Sequence, residues 1–145
     1  MLDEVKDRAV LLSDIYKRAF HGEAMRPGAT EAQVNALVTF AGLNVSEDYL
    51  DFLRTTNGFL ELGDIDYVIR NSTVWRQHWP GCLIIGSDGG EGHFLLDLAY
   101  DGIDGETKPV LYFENEGLEL DNNTPEWLSF SKFFLDFFTA EHILE

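Results

Sequence analysis

The chain has 145 residues, of which 45% are hydrophobic and 13% aromatic, enough for one domain with a sizeable core and too apolar for a largely disordered chain. Its lone cysteine, Cys82, excludes an internal disulfide, and 26 acids against 10 bases leave a net charge of −16 that argues against nucleic-acid and anionic-membrane partners. No run approaches the roughly 18 apolar residues of a membrane span, and the amino terminus carries acids where a signal peptide would be basic, so a cytoplasmic protein is expected.

Within Leu2–His21, residues Val5, Ala9, Leu12, Tyr16 and Ala19 or Phe20 recur at helical spacing, and Gly22 stops the pattern. Glu23–Ala29, with Arg26-Pro27-Gly28, reads as a linker or turn. Thr30-Glu31-Ala32-Gln33 has capping-box spacing and opens a second helix, whose stripe is Val34, Leu37, Val38 and Ala41 and whose end is Gly42. A third helix is expected from Ser46, with Glu47 and Asp48 at its positive end, through Tyr49, Leu50, Phe52 and Leu53 to a stop at Asn57-Gly58. Phe59, Leu60, Leu62 and Ile65 are interrupted by Gly63-Asp64 and suggest one or two short strands. Val68–His78 fits a short helix with Trp75 and Trp79 on one side, ended at Pro80-Gly81.

The stretch Leu83–Leu98 is the centre of the chain. Two apolar runs, Cys82–Ile85 and Phe94–Leu98, flank the glycine-rich Gly86–His93, which predicts a β-hairpin at the middle of a sheet, buried on both faces. A turn-rich connection follows at Asp101–Gly105, then a strand at Pro109–Phe113. Another strand is expected at Gly117–Asp121, with Glu119 and Asp121 outward to discourage edge pairing. Phe130, Phe133, Phe134, Phe137 and Phe138 then form one aromatic stripe on a last helix that should close the core against the sheet. The fold class expected is α+β: a mostly antiparallel central sheet, helices packed on one side, and a C-terminal aromatic-rich helix.

The residues for chemistry are sparse. Asp88, Glu91 and His93 lack the ligand number and softness of a structural zinc site, and the aspartates Asp101 and Asp104 lack calcium-loop spacing. Gly86–Gly92 has neither the Lys-Ser/Thr pair nor the following helix of a phosphate loop, and its acids would repel phosphate. Cys82 heads an apolar run, and none of His21, His78, His93 or His142 has a local partner motif. No catalytic, cofactor or metal residues are assigned. Charge is the stronger signal: residues 1–54 hold 9 acids and 6 bases, net −3, whereas residues 55–145 hold 17 acids and 4 bases, net −13. Such a field speeds encounter with a basic partner, although solubility alone also explains it. The candidate partner-binding residues are Asp64, Asp66, Asp88, Glu91, Glu114, Glu116, Glu119 and Asp121, with Trp75 or Trp79 as a buried anchor.

The order of motifs resembles the SUKH superfamily, the domain shared by fungal cell-wall-assembly regulators and many bacterial immunity proteins. The matching residues are Val45-Ser46-Glu47-Asp48-Tyr49-Leu50-Asp51-Phe52-Leu53 with Asn57-Gly58, Ile85–Gly92 followed by Phe94-Leu95-Leu96-Asp97, Pro109-Val110-Leu111-Tyr112, and Ser129-Phe130 with Phe133-Phe134-Leu135. Asn44-Val45 stands where the family commonly has Leu-Pro. The resemblance implies a non-catalytic domain that neutralises a toxin by direct binding. The expectation is therefore a single domain over 1–145, with an N-terminal helix and linker at 1–29 and a family-like core at 30–138. It would bind a cognate toxin, for which a basic nuclease suits the charge, and occlude its active site or substrate channel, touching neither nucleic acid nor membrane; the oligomeric state is left open. The alternatives are a regulatory or scaffold interaction module and, from another class, an uncharacterised enzyme.

Overall fold

A computed structural model describes residues 2–20, 25–90, 92–100, 107–114 and 127–139. Five helices and three strands follow one another as α1 (Leu2–Phe20), α2 (Glu31–Ala41), α3 (Glu47–Thr55), α4 (Ile65–Val74), β1 (Cys82–Ser87), β2 (Gly92–Asp97), β3 (Val110–Glu114) and α5 (Phe130–Phe137). The strands form an antiparallel sheet in the order β1-β2-β3, so the fold is α+β.

Helix α2 begins as its sequence requires. Thr30 and Gln33 exchange side-chain and backbone hydrogen bonds in a full capping box, and Gly42 closes the far end in the left-handed region. Helix α3 starts after Ser46, but the Ser46 hydroxyl makes no capping bond. Asp48 serves instead: Oδ1 accepts from the Tyr49 amide at 2.8 Å, while Oδ2 accepts from the Ser131 amide at 3.1 Å and from its hydroxyl at 2.9 Å. One carboxylate thus joins the starts of α3 and α5. At the other end of α5, Arg8 of α1 donates to the carbonyls of Leu135 and Phe138 at 2.9 and 2.7 Å, which caps a helix whose last turn has no basic residue of its own.

Two expectations need correction. Helix α4 spans Ile65–Val74 instead of 68–78: Asp64 caps its start by accepting from the Tyr67 amide at 2.8 Å, and Trp75 closes its end, so Trp79 lies beyond it. No strand forms across 59–65: Phe59 and Leu62 bond each other reciprocally, at 2.9 Å each way, and close a tight turn in which Leu60 takes φ +50°. The hairpin of β1 and β2 forms as expected, yet β2 alone is the middle strand. The strand expected at Gly117–Asp121 and the Asp101–Gly105 connection lie outside the described residues.

Both faces of the sheet are buried, which is why its strands read as continuous apolar runs. Leu83, Ile85, Phe94, Leu96 and Val110 face the main core with α1, α2, α3 and α5, whereas Ile84, Leu95, Leu111 and Phe113 face Trp79 and Trp75 on the other side. The aromatic stripe of α5 seals the main core. Phe130 lies 5.0 Å from both Tyr49 and Phe52, Phe134 lies 5.3 Å from Phe52, and Phe133 lies 5.0 Å from Phe94. Burying each phenyl contributes about 2 kcal/mol, and well-oriented ring pairs add to that. Among the described residues no helix is long and apolar enough to cross a membrane.

Phe134, fully buried and in contact with Phe52, Phe59 and Phe138, should be the costliest truncation. Phe134→Ala is expected to lower unfolding stability by about 3–5 kcal/mol. Urea denaturation checks this, with a midpoint shift at constant slope as the expected outcome.

Candidate functional site

The turn at 59–63 and the hairpin tip are fastened to each other. Gly63 donates to the Ile85 carbonyl at 3.0 Å and Ser87 to the Glu61 carbonyl at 3.1 Å, so the turn occupies part of the outer edge of β1. The approach depends on Gly86, where a Cβ would stand 2.5 Å from the Glu61 oxygen. Farther along that edge the Ile84 amide donates to the buried Ser72 hydroxyl of α4 at 2.9 Å. The β1 edge is therefore satisfied by the turn and by a helix rather than by another strand.

The tip itself is organised by Asp88. Oδ1 accepts from the amides of Gly90 and Gly92 at 2.9 and 3.2 Å, and Oδ2 accepts from the Tyr112 hydroxyl at 2.5 Å. A Cβ at Gly92 would crowd the Tyr112 hydroxyl and Asp88 Oδ2, so the clasp closes tightly over a residue without a side chain. The Tyr112 hydrogen bond first, and the Gly90 amide next, hold the Asp88 carboxyl below its ordinary value.

Between these pieces opens a cleft of about 640 Å³. It is lined by Tyr16 of α1, Arg26, the 60–64 turn, Tyr67 and Arg70 of α4, and Ser87 and Gly89 of the hairpin. Burial raises the Tyr67 phenol while the nearby Arg70 guanidinium opposes that shift. The cleft therefore carries polar and aromatic contact groups. Among the described residues no three His, Cys, Asp or Glu side chains are grouped to hold a metal ion.

The expected partner-binding residues fall in three places. Asp64 lines the cleft, and Asp66 is exposed on the first turn of α4 beside it; Asp88 is exposed at the hairpin tip. Trp75 and Trp79 pack on the sheet face away from the main core, stacked with centroids 4.9 Å apart. Trp79 is 1% exposed and also packs against His93 and Phe113, whereas Trp75 is half-buried. Glu91, Glu116, Glu119 and Asp121 lie outside the described residues, as does the side chain of Glu114 at the end of β3. In sequence Tyr16 reads as part of the first helix stripe and Arg26 as part of a turn, and neither they nor Tyr67 and Arg70 carry a site signature. The only local signal was the Tyr67 and Arg70 pair, which at i, i+3 shares a helix face.

The model of the SMI1 / KNR4 family (SUKH-1) matches residues 28–136. The chain belongs to this family. A comparison with curated proteins gives no match. SUKH domains are known for immunity-type proteins and are generally non-catalytic, which supports a general role in immunity and protein interaction. Within the SUKH-1 match lie the turn, α4 and the hairpin, whereas Tyr16 and Arg26 precede it, so one wall of the cleft comes from outside the matched segment.

Two measurements check the local chemistry. The folded Asp88 carboxyl titrates below the ordinary 3.8, so its clasp stabilises the fold at neutral pH and that contribution is lost as pH falls through the folded value. Tyr112→Phe should move the Asp88 midpoint upward, as read by carboxyl-detected NMR titration. Cys82 hydrogen-bonds Asp97, and burial followed by the Asp97 charge pushes its thiol well above the ordinary 9.0. Iodoacetamide should therefore modify it at pH 8 at least about tenfold more slowly in the native chain than in urea.

Proposed function

We propose that this SUKH-1 chain is a bacterial immunity protein that works in the cytoplasm by binding a cognate toxin and occluding its active site or substrate channel. Membership of the SUKH-1 family carries the reading, and the charge specifies the partner. With 17 acids against 4 bases in residues 55–145, the second part of the chain attracts a basic protein, and a nuclease is the toxin class whose own substrate is a polyanion. Asp64, Asp66 and Asp88 supply acids around the cleft and the hairpin tip, with Glu91, Glu114, Glu116, Glu119 and Asp121 completing the acidic set and Trp75 offering a half-buried aromatic face. Trp79 then supports Trp75 from beneath.

The deciding experiment is co-expression with the product of the adjacent gene. Co-purification and loss of that product's toxicity are expected; a stable chain that neither binds nor protects would overturn the proposal. In the same pair, raising salt from about 50 to about 500 mM should slow association at least tenfold. A rate indifferent to salt would remove charge steering from the mechanism.

A further inference from the structure

The chain holds 10 cationic side chains, and most of those described with contacts are occupied in building the fold. Arg8 caps α5, and Arg54 is clamped by Glu31 and Asp51 at 2.9 and 2.8 Å. Arg76 lies 4.8 Å above the Phe40 ring, and Lys108 is buried with its ammonium on the Leu98 carbonyl at 3.0 Å. Arg26 and Arg70 differ. Both are exposed, both line the 640 Å³ cleft, and among the described residues neither guanidinium makes a hydrogen bond or an ion pair. The acids of the same cleft are partly engaged: Asp64 accepts from the Tyr67 amide through Oδ1, and Glu61 has contacts of its own.

That asymmetry sets what can cover the cleft. A partner seated over it removes water from two guanidinium groups, and an unpaired buried cation is costly, so the partner must bring an acceptor of matching charge. A carboxylate suits the planar donor fork. The flanking Tyr16 and Tyr67, with the two arginines, also form the residue composition in which binding energy concentrates at interfaces. The field of the whole chain repels a free anion, so the carboxylate must arrive on a carrier that is otherwise basic.

We propose that the cleft between α1, the 60–64 turn, α4 and the hairpin tip takes one acidic side chain from a loop of a basic partner protein, held between Arg26 and Arg70. This deepens the toxin-binding reading and rests on it. The acidic surround steers a basic surface inward, and the buried carboxylate selects among basic partners, because one lacking it leaves two arginines desolvated and unpaired.

The test uses the isolated full chain and a synthetic probe, so its outcome is independent of whether the neighbouring gene product binds. The probe is a pentapeptide blocked at both ends, lysine-glycine-glutamate-glycine-lysine, and the control replaces glutamate with glutamine. Titration of the 15N-labelled chain should give saturable shifts at Leu62, Gly63, Arg70 and Gly89 with a Kd on the order of 1–10 mM, at least fivefold tighter for the glutamate probe than for the control. The double variant Arg26→Gln with Arg70→Gln should abolish that preference while its remaining amide spectrum superimposes on the parent's. Arg26→Lys with Arg70→Lys should restore part of it, since charge returns without the fork. Equal binding of the two peptides, saturation mapped away from the cleft, or a preference unchanged in the glutamine double variant would each overturn the proposal.

Discussion

A sheet of three short strands has two faces and two edges to protect, and little else in this chain is arranged without reference to that need. One face is covered by the phenylalanine stripe of α5 together with α1, α2 and α3; the other is covered by the stacked Trp75 and Trp79. The β1 edge is taken by the 59–63 turn and by Ser72. Hydrophobic burial supplies the energy, while single polar contacts determine how the pieces meet. Asp48 is the clearest case, since its carboxylate fixes the starts of two helices that are 83 residues apart in sequence. Losing it would leave the Ser131 amide and hydroxyl without their acceptor at a partly buried joint, which costs more than the net worth of the bonds.

The cleft follows from the same requirement. Covering the β1 edge with a turn rather than a strand forces the chain to reverse within four residues, and Leu60 adopts the left-handed region to do it. A bulky residue there is held at a cost on the order of 1 kcal/mol by the surrounding contacts. The turn can lie that close only because Gly86 has no side chain. A hollow then remains between the turn, the first turns of α4 and the hairpin tip, and α1 brings Tyr16 to its rim. The site is thus a by-product of edge protection.

Periodicity made much of the fold legible. The capping box at Thr30, the stop at Gly42, the hairpin and the phenylalanine stripe are each local patterns whose physical cause lies within a few residues, and each is present in the structure. Ambiguous local signals and non-local contacts are not legible in the same way. Asp64 as a helix cap was hidden because Gly63-Asp64 looked like a break between strands, and Leu60 as a left-handed residue has no sequence signature at all. Two of the candidate acids, Asp64 and Asp88, also serve the backbone at a helix start and at a turn tip. Arg26 and Arg70 carry no shared signature, because they are 44 positions apart in the sequence and belong to different elements. Only the tertiary fold brings both to one cleft.

Charge is therefore best read by employment rather than by count. A surplus of 16 negative charges describes the far field, which controls how fast and from which side a partner arrives. Contact energies depend on which groups still lack partners when water is removed. By that measure the acids of the cleft are partly satisfied by the fold, through the α4 amide at Asp64 and the contacts of Glu61, while its two arginines find no partner among the described residues. An interface built over this surface would use opposite signs at two ranges: repulsion of acids at a distance, and a demand for one acid at the centre. The two requirements are compatible only for a partner that is basic overall and acidic at one point, a narrower specification than net charge alone provides.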